Sequence, residues 1–331
     1  MRQRLTVEAY TQGILSGDRI ILSRAITLIE SKLKNDKILA KSVLENILPN
    51  TGNSMRVGIT GVPGVGKSTF IEALGKHITS LKKKVAVLTI DPSSKKTGGS
   101  ILADKTRMEE LSRDPLAFIR PSASGLSLGG VARSTRETML LCEAAGYEVI
   151  IIETVGVGQS ETLVKGMSDF FLLLMLAGAG DEIQGIKKGI MEMADAVAIN
   201  KADGANKVLA EQAVTEYQNA LHLFPKSDSD FITKVVTCSA LEGTGIASLW
   251  ELIMEYQQST IQNGYFQENR QAQNLEWMHD YIRQTLEEQF YENTIIKKAI
   301  ATSEKSVKEG NELPVTAAER LLDIFRKSLM K

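Results

Sequence analysis

Residues 61–68 read Gly-Val-Pro-Gly-Val-Gly-Lys-Ser, and this stretch decides the fold. It has the spacing of a phosphate-binding loop, in which glycines let the backbone curl around phosphate oxygens and successive N–H groups point inward. An apolar run, 56–60, comes before it, and a run with helical periodicity, 69–78, follows it. Such a loop needs a strand on one side and a helix on the other, so the context favours a nucleotide site over a chance glycine-rich turn.

The motif predicts a role for each of its positions. Lys67 is expected to bridge the β- and γ-phosphates, and the hydroxyl of Ser68 to bind Mg²⁺. The remaining positions are expected to surround the phosphates with backbone N–H groups, where the start of the helix adds a partial positive charge. The predicted phosphate-binding residues are Gly61, Val62, Pro63, Gly64, Val65, Gly66, Lys67, Ser68 and Thr69.

Composition limits the class of protein. The chain has 331 residues, of which 43% are hydrophobic and 24% charged, and its formal net charge is −1. This charge gives no global attraction to nucleic acid or to an anionic membrane. The amino terminus has no signal-type apolar segment, and no uncharged stretch of 18 residues follows. We therefore expect a cytoplasmic protein that binds neither nucleic acid nor a membrane. The two cysteines, Cys142 and Cys238, are expected to be thiols buried in the core.

The apolar runs predict an α/β fold. Seven runs alternate with helical stretches, and they are continuous rather than alternating in polarity, as expected for strands covered on both faces. We predict a P-loop NTPase with a mostly parallel central sheet flanked by helices. Helical extensions are predicted at both ends, with boundaries at 1–50, 51–258 and 259–331. The predicted strands are 57–60, 85–90, 117–120, 149–153, 170–176, 196–200 and 235–239.

The carboxyl-terminal segment is predicted to be helical. Apolar residues recur at helical spacing from Leu275 to Phe290, and Thr316 with Glu319 reads as a capping box before a last helix. Two such helices cannot bury their apolar stripes alone in water. They must pack either on the main domain or on a second copy of the chain, and the pattern leaves both readings open.

The segment Asn200-Lys201-Ala202-Asp203 indicates which base is bound. It follows a core strand, and a carboxylate at Asp203 can accept two hydrogen bonds from the paired N–H donors of guanine, which adenine lacks. Asn200 and Lys201 are expected to brace the loop, with the lysine stem covering the base. The segment Ser239-Ala240-Leu241 follows another strand and is expected to offer a backbone N–H to the base oxygen.

Three acidic residues are candidates for the hydrolytic chemistry. Asp91 and Glu153 each end a predicted strand, so both are expected at the sheet edge that holds Ser68. Asp104 lies in a polar segment that could fold over the γ-phosphate. Mg²⁺ needs few protein oxygens and keeps several waters, which Ser68, Glu153, Asp91 and Asp104 could satisfy directly or through water.

Two glycine-rich segments are expected to respond to the nucleotide. Residues 154–161 include Gly156, whose N–H could sense the γ-phosphate, and Gln159. Residues 178–189 include Gln184, Lys187 and Lys188. Such loops can reorder with nucleotide state, but a flexible connection without signalling value has the same composition.

Several longer strings resemble one family closely. These are Asp91-Pro92-Ser93-Ser94, the segments 97–102 and 104–108, the run Glu153–Glu161, and Gln184-Gly185-Ile186-Lys187-Lys188-Gly189. Together they resemble the methylmalonyl-CoA mutase-associated GTPases of the MeaB/ArgK type, over nearly the whole chain.

The resemblance implies a homodimeric G-protein chaperone. Such a protein docks on adenosylcobalamin-dependent methylmalonyl-CoA mutase, with or without an adenosyltransferase, and gates cofactor loading. It also implies that 91–108, 154–166 and 178–189 are switches, and that Asp91, Asp104 and Glu153 are linked to magnesium. No Asp-x-His-x-x-Gly string occurs, so we expect GTP or GDP and Mg²⁺ as ligands and no directly bound cobalamin.

Rival functions make different predictions. No glutamine directly follows Gly156, so we expect slow intrinsic hydrolysis, about 10⁻⁴ to 10⁻² s⁻¹, until a partner orders the switches. A kinase of a periplasmic amino-acid transport protein would instead need an acceptor site and a base. A metallochaperone GTPase is disfavoured by scattered histidines and cysteines, and a signal-recognition-type GTPase by dispersed methionines.

Overall fold

One parallel sheet forms the centre of the protein. The computed structural model describes residues 4–90, 108–121, 128–154, 160–178 and 188–329. Within these residues seven strands form a single sheet in the order β3-β2-β4-β1-β5-β6-β7, and every pair is parallel. The predicted α/β fold with a parallel sheet is confirmed. The strands are β1 Met55–Gly61, β2 Val85–Ile90, β3 Ala117–Pro121, β4 Val149–Thr154, β5 Phe170–Leu176, β6 Ala196–Asn200 and β7 Lys234–Thr237.

Helices cover both faces of the sheet. Along β2, Val85 and Val87 pack into one hydrophobic core, whereas Ala86, Leu88 and Ile90 pack into a second core on the opposite face. Both faces of β2 are therefore apolar, as a strand inside a covered parallel sheet requires. The helices up to the last strand and directly after it are α1 Val7–Leu15, α2 Arg19–Ile29, α3 Lys34–Ile47, α4 Lys67–Ser80, α5 Glu109–Arg113, α6 Leu128–Ala144, α7 Ser160–Lys165, α8 Lys188–Met193, α9 Lys207–Leu221 and α10 Ile246–Gln262.

The amino-terminal extension is part of the main core. Tyr10, Ile14 and Ile26 are fully buried in the same cluster as Ile150 of β4. Asp18 caps α2, since its carboxylate accepts the N–H groups of the first turn. This segment therefore packs directly on one face of the sheet.

A buried arginine anchors the start of the next helix, α11 Tyr265–Glu292. The guanidinium of Arg270 donates to both carboxylate oxygens of Asp169 at 2.7 Å, and to the carbonyl oxygens of Gly52 and Ser54 at 2.5 Å. Its face lies 4.4 Å from the ring centre of Phe266. These contacts lie where β1 and β5 begin, which we call the amino edge of the sheet.

A second ion pair completes this amino edge. Glu143 of α6 accepts from the Arg56 guanidinium at 2.9 Å, from the Ser54 hydroxyl at 2.6 Å and from the Gly52 N–H at 2.8 Å. Both side chains of the pair are almost fully buried. Buried charges are tolerated only when they are paired and hydrogen-bonded. The carboxylates of Asp169 and Glu143 both meet that condition.

The chain divides into two compact units, Met1–Gln273 and Asn274–Lys331. The second unit contains the rest of α11, with α12 Thr294–Lys308 and α13 Pro314–Leu329. In it the rings of Phe290 and Phe325 pack edge to face at 5.3 Å. None of the helices in the described residues is both long and apolar enough to cross a membrane.

The predicted capping box in the last helix is wrong. α13 begins at Pro314, so Thr316 already lies inside the helix and is not its N-cap. Proline suits the first helical position because the missing N–H would have no partner there. Our boundaries at 50 and 258 remain a proposal about domain organisation.

Candidate nucleotide-binding site

The phosphate loop joins β1 to α4 at the carboxyl edge of the sheet, where the strands end. Gly64 and Gly66 have φ angles of +78° and +91°, a region that favours glycine. A Cβ on Gly61 would lie 2.5 Å from the carbonyl oxygen of Leu174 on the neighbouring β5. The glycines are therefore required by backbone conformation and by close packing, and they place the loop directly beyond the central strand.

The ammonium of Lys67 is folded back onto its own loop. Its Nζ donates to the carbonyl oxygen of Gly61 at 2.9 Å and is 3.5 Å from that of Val62. Burial lowers the pKa of Lys67, and the negative charges of Glu153 and Glu161 act in the opposite direction. The cation thus rests on neutral carbonyls that phosphate oxygens could replace with stronger, charge-assisted hydrogen bonds.

The predicted base-reading segment is tied to the phosphate loop. The side-chain amide of Asn200, at the end of β6, donates to the carbonyl oxygen of Val65 at 2.8 Å. Lys201, whose φ is +60°, donates from Nζ to the carbonyl oxygen of Gly64 at 2.8 Å. Both side chains brace the loop, and a Cβ on Gly66 would crowd this contact, since it would lie 3.2 Å from the Asn200 amide.

A third segment, after β7, completes the arrangement. The Ser239 hydroxyl donates to the carboxylate of Asp203 at 2.5 Å and accepts the N–H of Glu242 at 3.1 Å. The N–H of Ala240 donates to the Asn200 side-chain oxygen at 3.1 Å. The structure therefore brings the three predicted loops together at the carboxyl edge, around the acid that would read the base.

Two residues of the predicted Ser239–Leu241 segment, Ala240 and Leu241, lie in different surroundings. The Ala240 N–H, which the sequence offers as a donor to the base oxygen, is directed at Asn200 instead. Leu241 lies at the tip of the loop and is 83% exposed. In the described structure the N–H of Ala240 therefore holds the side chain of Asn200.

The described part of the predicted magnesium site consists of Ser68 and Glu153. Ser68 lies in the first turn of α4, and Glu153 is buried near the end of β4, opposite Ile59 of the central strand. Hydroxyl and carboxylate oxygens are the ligands that Mg²⁺ prefers, so these residues fit the ion. The other predicted acids and switch residues lie outside the described residues: Asp91, Asp104, Gly156, Gln159, Gln184, Lys187 and the side chain of Lys188.

Glu161 was not singled out from the sequence. It lies in the first turn of α7 and is 1% exposed. Val164, one turn later, lies within 2.8 Å of where a Cβ on Gly58 of β1 would be, so α7 is seated directly on the central strand. The sequence does show a second acidic residue, Glu161, soon after Glu153. It does not show that this side chain is buried near Lys67, because that depends on how α7 packs on the sheet.

Comparison with known proteins points to one family. The model of the family described as "Methylmalonyl Co-A mutase-associated GTPase MeaB" matches residues 22–295. GTPase ArgK of Escherichia coli (strain K12) is 42% identical over 326 residues, covering 98% of this chain and 98% of that protein. The mitochondrial methylmalonic aciduria type A homolog of Mus musculus is 43% identical over 334 residues, covering 98% and 80% respectively.

A solved structure agrees with this grouping. The crystal structure of a LAO/AO transport system kinase has a TM-score of 0.76 and 37% identity to this chain, covering 98% of it and 99% of the solved chain. Fold, loop geometry and relatives agree with the resemblance seen in the motifs. The chain belongs to the MeaB family of methylmalonyl-CoA mutase-associated GTPases, and it is a GTP-hydrolysing enzyme.

Proposed function

We propose that this GTPase is a chaperone of an adenosylcobalamin-dependent methylmalonyl-CoA mutase, gating cofactor loading and protecting or reactivating the mutase. The observation that carries the proposal is the family match over residues 22–295, with a mutase-associated GTPase as its description. The name of the mouse relative, which refers to methylmalonic aciduria, supports the same client. Cobalamin itself is proposed to stay with the client, with or without an adenosyltransferase in the complex.

The residues of the described site supply guanine selectivity and charge neutralisation. The Asp203 carboxylate would accept from the paired donors of guanine while Ser239 holds it in place. Lys67 would leave the Gly61 carbonyl for the β- and γ-phosphates. Phosphoryl transfer depends mainly on such positioning and on neutralising charge at the γ-phosphate.

Mg²⁺ is proposed as the metal cofactor. Ser68 and Glu153, with Asp91 and Asp104, would hold it directly or through water. When bound, the ion would neutralise charge developing on the phosphates. Lys67 and the loop N–H groups would orient the same oxygens.

The proposed switches follow three strands of the sheet. Residues 91–108 begin directly after β2, 154–166 begin at the last residue of β4, and 178–189 begin two residues after the end of β5. All three strands end at the carboxyl edge, which also holds the phosphate loop. We propose that these segments, with Gly156, Gln159, Gln184, Lys187 and Lys188, convey the nucleotide state to the mutase.

A homodimer is proposed for the assembly. On α11, Leu275, Ile282 and Leu286 are 60%, 47% and 57% exposed, and they are spaced to share one face of the helix. Large apolar side chains exposed together on a helix typically mark an interface. Sedimentation should give twice the chain mass, and replacing Leu275 and Leu286 by glutamate should give the monomer.

A cytoplasmic location is also proposed, in keeping with the two free cysteines.

The client is tested with purified components. We expect a B₁₂-dependent methylmalonyl-CoA mutase from the same source to bind the protein and to raise its GTP turnover at least about 10-fold, because a partner that orders the switches completes the site. Asp203→Asn, assayed with GTP, is the matched control that should lose the effect. A mutase that neither binds nor changes turnover would contradict the proposal.

A kinase activity is the second candidate, because a solved structure with TM-score 0.76 is named LAO/AO transport system kinase. GTP labelled on the γ-phosphate separates the two functions. Label released as free phosphate supports the GTPase chaperone, and label transferred to a periplasmic amino-acid transport protein supports the kinase.

A further inference from the structure

We propose that Cys238 is a positioning residue for the guanine site, where its thiol holds the side chain of Asn200. The inference rests on the proposed base-reading role of the segment Asn200–Asp203. Cys238 lies directly after β7 and just before the Ser239–Leu241 segment, and it is 1% exposed.

The thiol contacts the atom of Asn200 that sets its orientation. Cys238 Sγ donates to Asn200 Oδ1 at 3.6 Å, and the Ala240 N–H donates to the same oxygen at 3.1 Å. On the other side of the amide, Nδ2 donates to the Val65 carbonyl oxygen at 2.8 Å. Asn200 therefore has two donors facing its oxygen and an acceptor facing its nitrogen, and only one of its two flipped orientations satisfies all three.

This orientation matters to the ligand because Asn200 joins two loops. Its nitrogen holds the phosphate loop at Val65, and its oxygen holds the segment that positions Asp203 through Ser239. An amide that rotates would release both. Cys238 therefore acts on the nucleotide indirectly, through Asn200, and does not contact the base.

Backbone hydrogen bonds fix the main chain of Cys238 beside Asn200. Cys238 donates its N–H to Ile199 and accepts the N–H of Ala202, at 2.9 and 3.0 Å, so it is paired with the chain on either side of Asn200. A Cβ on Gly245 would lie 3.2 Å from Cys238 Cα, so the next helix begins tightly against it.

The thiol also keeps its proton. Burial raises the pKa of Cys238 to about 12. With this pKa the protonated thiol dominates at neutral pH, and only that form can donate a hydrogen bond to Asn200.

A matched pair of variants separates a hydrogen bond from packing. Threonine and valine have nearly the same shape, but only threonine has a donor. Affinity for GDP is measured by calorimetry, and stability by thermal unfolding of the nucleotide-free chain. We expect Cys238→Val to raise the Kd for GDP about 3- to 10-fold, as the loss of a neutral hydrogen bond predicts, and Cys238→Thr to stay within about 2-fold of the parent.

The two variants should melt at similar temperatures, because the hydrogen bond of the threonine hydroxyl offsets the cost of burying it. A purely structural role would move affinity and melting temperature together. Should a branched side chain not fit beside Gly245, Cys238→Ala also lacks the donor and should weaken GDP as valine does. Equal Kd values for the threonine, valine and alanine variants would overturn the inference.

Cys142 supplies the control. It is fully buried in the core on the other face of the sheet, and the same threonine and valine replacements there should leave the Kd for GDP unchanged. Asp203→Asn tests the base-reading role separately. If that change leaves GDP binding intact, the proposed base site fails; if it weakens GDP while all Cys238 variants bind normally, only this inference fails.

Discussion

At the amino edge of the sheet, Asp169 and Glu143 are each buried against an arginine and hydrogen-bonded to neighbouring backbone. At the carboxyl edge, the ammonium of Lys67 rests on backbone carbonyls. The strands β1 and β5 pass through both edges. The charges of one edge are matched within the protein, whereas the cation of the other is held by neutral groups that a ligand can replace. From this comparison we expect the amino edge to serve stability and the carboxyl edge to serve binding.

The largest effect is expected at the base-reading acid. Asp203→Asn replaces a carboxylate that would accept two hydrogen bonds with an amide that presents one acceptor and one donor. GTP affinity should fall about 10³- to 10⁴-fold, because the variant leaves one donor of guanine facing another donor. Calorimetry with GTP and xanthosine triphosphate measures the change. Xanthine presents one N–H donor and one carbonyl acceptor, which match the acceptor and the donor of the asparagine amide, so xanthosine triphosphate should bind the variant better than GTP does. Unchanged GTP affinity would remove Asp203 from the site.

Breaking the amino edge should affect stability instead. Arg270→Met leaves the Asp169 carboxylate, which is 1% exposed, without its bidentate partner. We expect the free energy of unfolding to fall by about 3 to 5 kcal/mol, the usual cost of leaving a buried charge unpaired. Urea unfolding measures it. The folded fraction should still bind GDP with the parent affinity, and a loss of affinity comparable to that of Asp203→Asn would contradict the division between the edges.

Lys67→Met should give the reverse pattern. Losing hydrogen bonds from a cation to phosphate should raise the Kd for GTP about 10- to 150-fold. Burial already lowers the pKa of Lys67, which means that keeping the ammonium charged costs free energy in the folded chain. Replacement by the uncharged methionine removes that cost. The nucleotide-free variant should therefore unfold at the same temperature as the parent or higher. A clear drop in its melting temperature would show that Lys67 serves stability, like the arginines of the amino edge.

An exposed ion pair provides the smallest expected change. Lys234 lies 2.7 Å from Glu255, but the two side chains are 44% and 56% exposed. Lys234→Met should alter the free energy of unfolding by less than about 1 kcal/mol, because water screens the pair. Measured beside Arg270→Met, it separates the effect of burial from that of charge. Equal losses in the two variants would show that pairing, and not burial, decides stability.

Local sequence was enough to predict the strands. The runs 85–90, 170–176 and 196–200 coincide with β2, β5 and β6, because continuous apolar runs of this length between polar turns are typical of strands covered on both faces. The phosphate loop could likewise be assigned, since its backbone conformation needs glycine where glycine stands.

Contacts between distant residues could not be predicted in this way. Arg270 and Asp169 are 101 residues apart, and Cys238 lies 38 residues beyond Asn200. Their partners depend on how helices and strands are placed in space, which no local pattern encodes. The error at Thr316 has another cause, because the helix begins at Pro314, two residues before the threonine, which therefore lies in its first turn.

The most direct test of a guanine site at the carboxyl edge is calorimetric titration of the intact chain with GDP and with ADP, both with Mg²⁺. The paired donors of guanine facing Asp203 predict micromolar or tighter binding of GDP, and ADP weaker by about 10³-fold or more. ADP binding as tightly as GDP, or neither nucleotide binding at micromolar concentrations, would contradict the account.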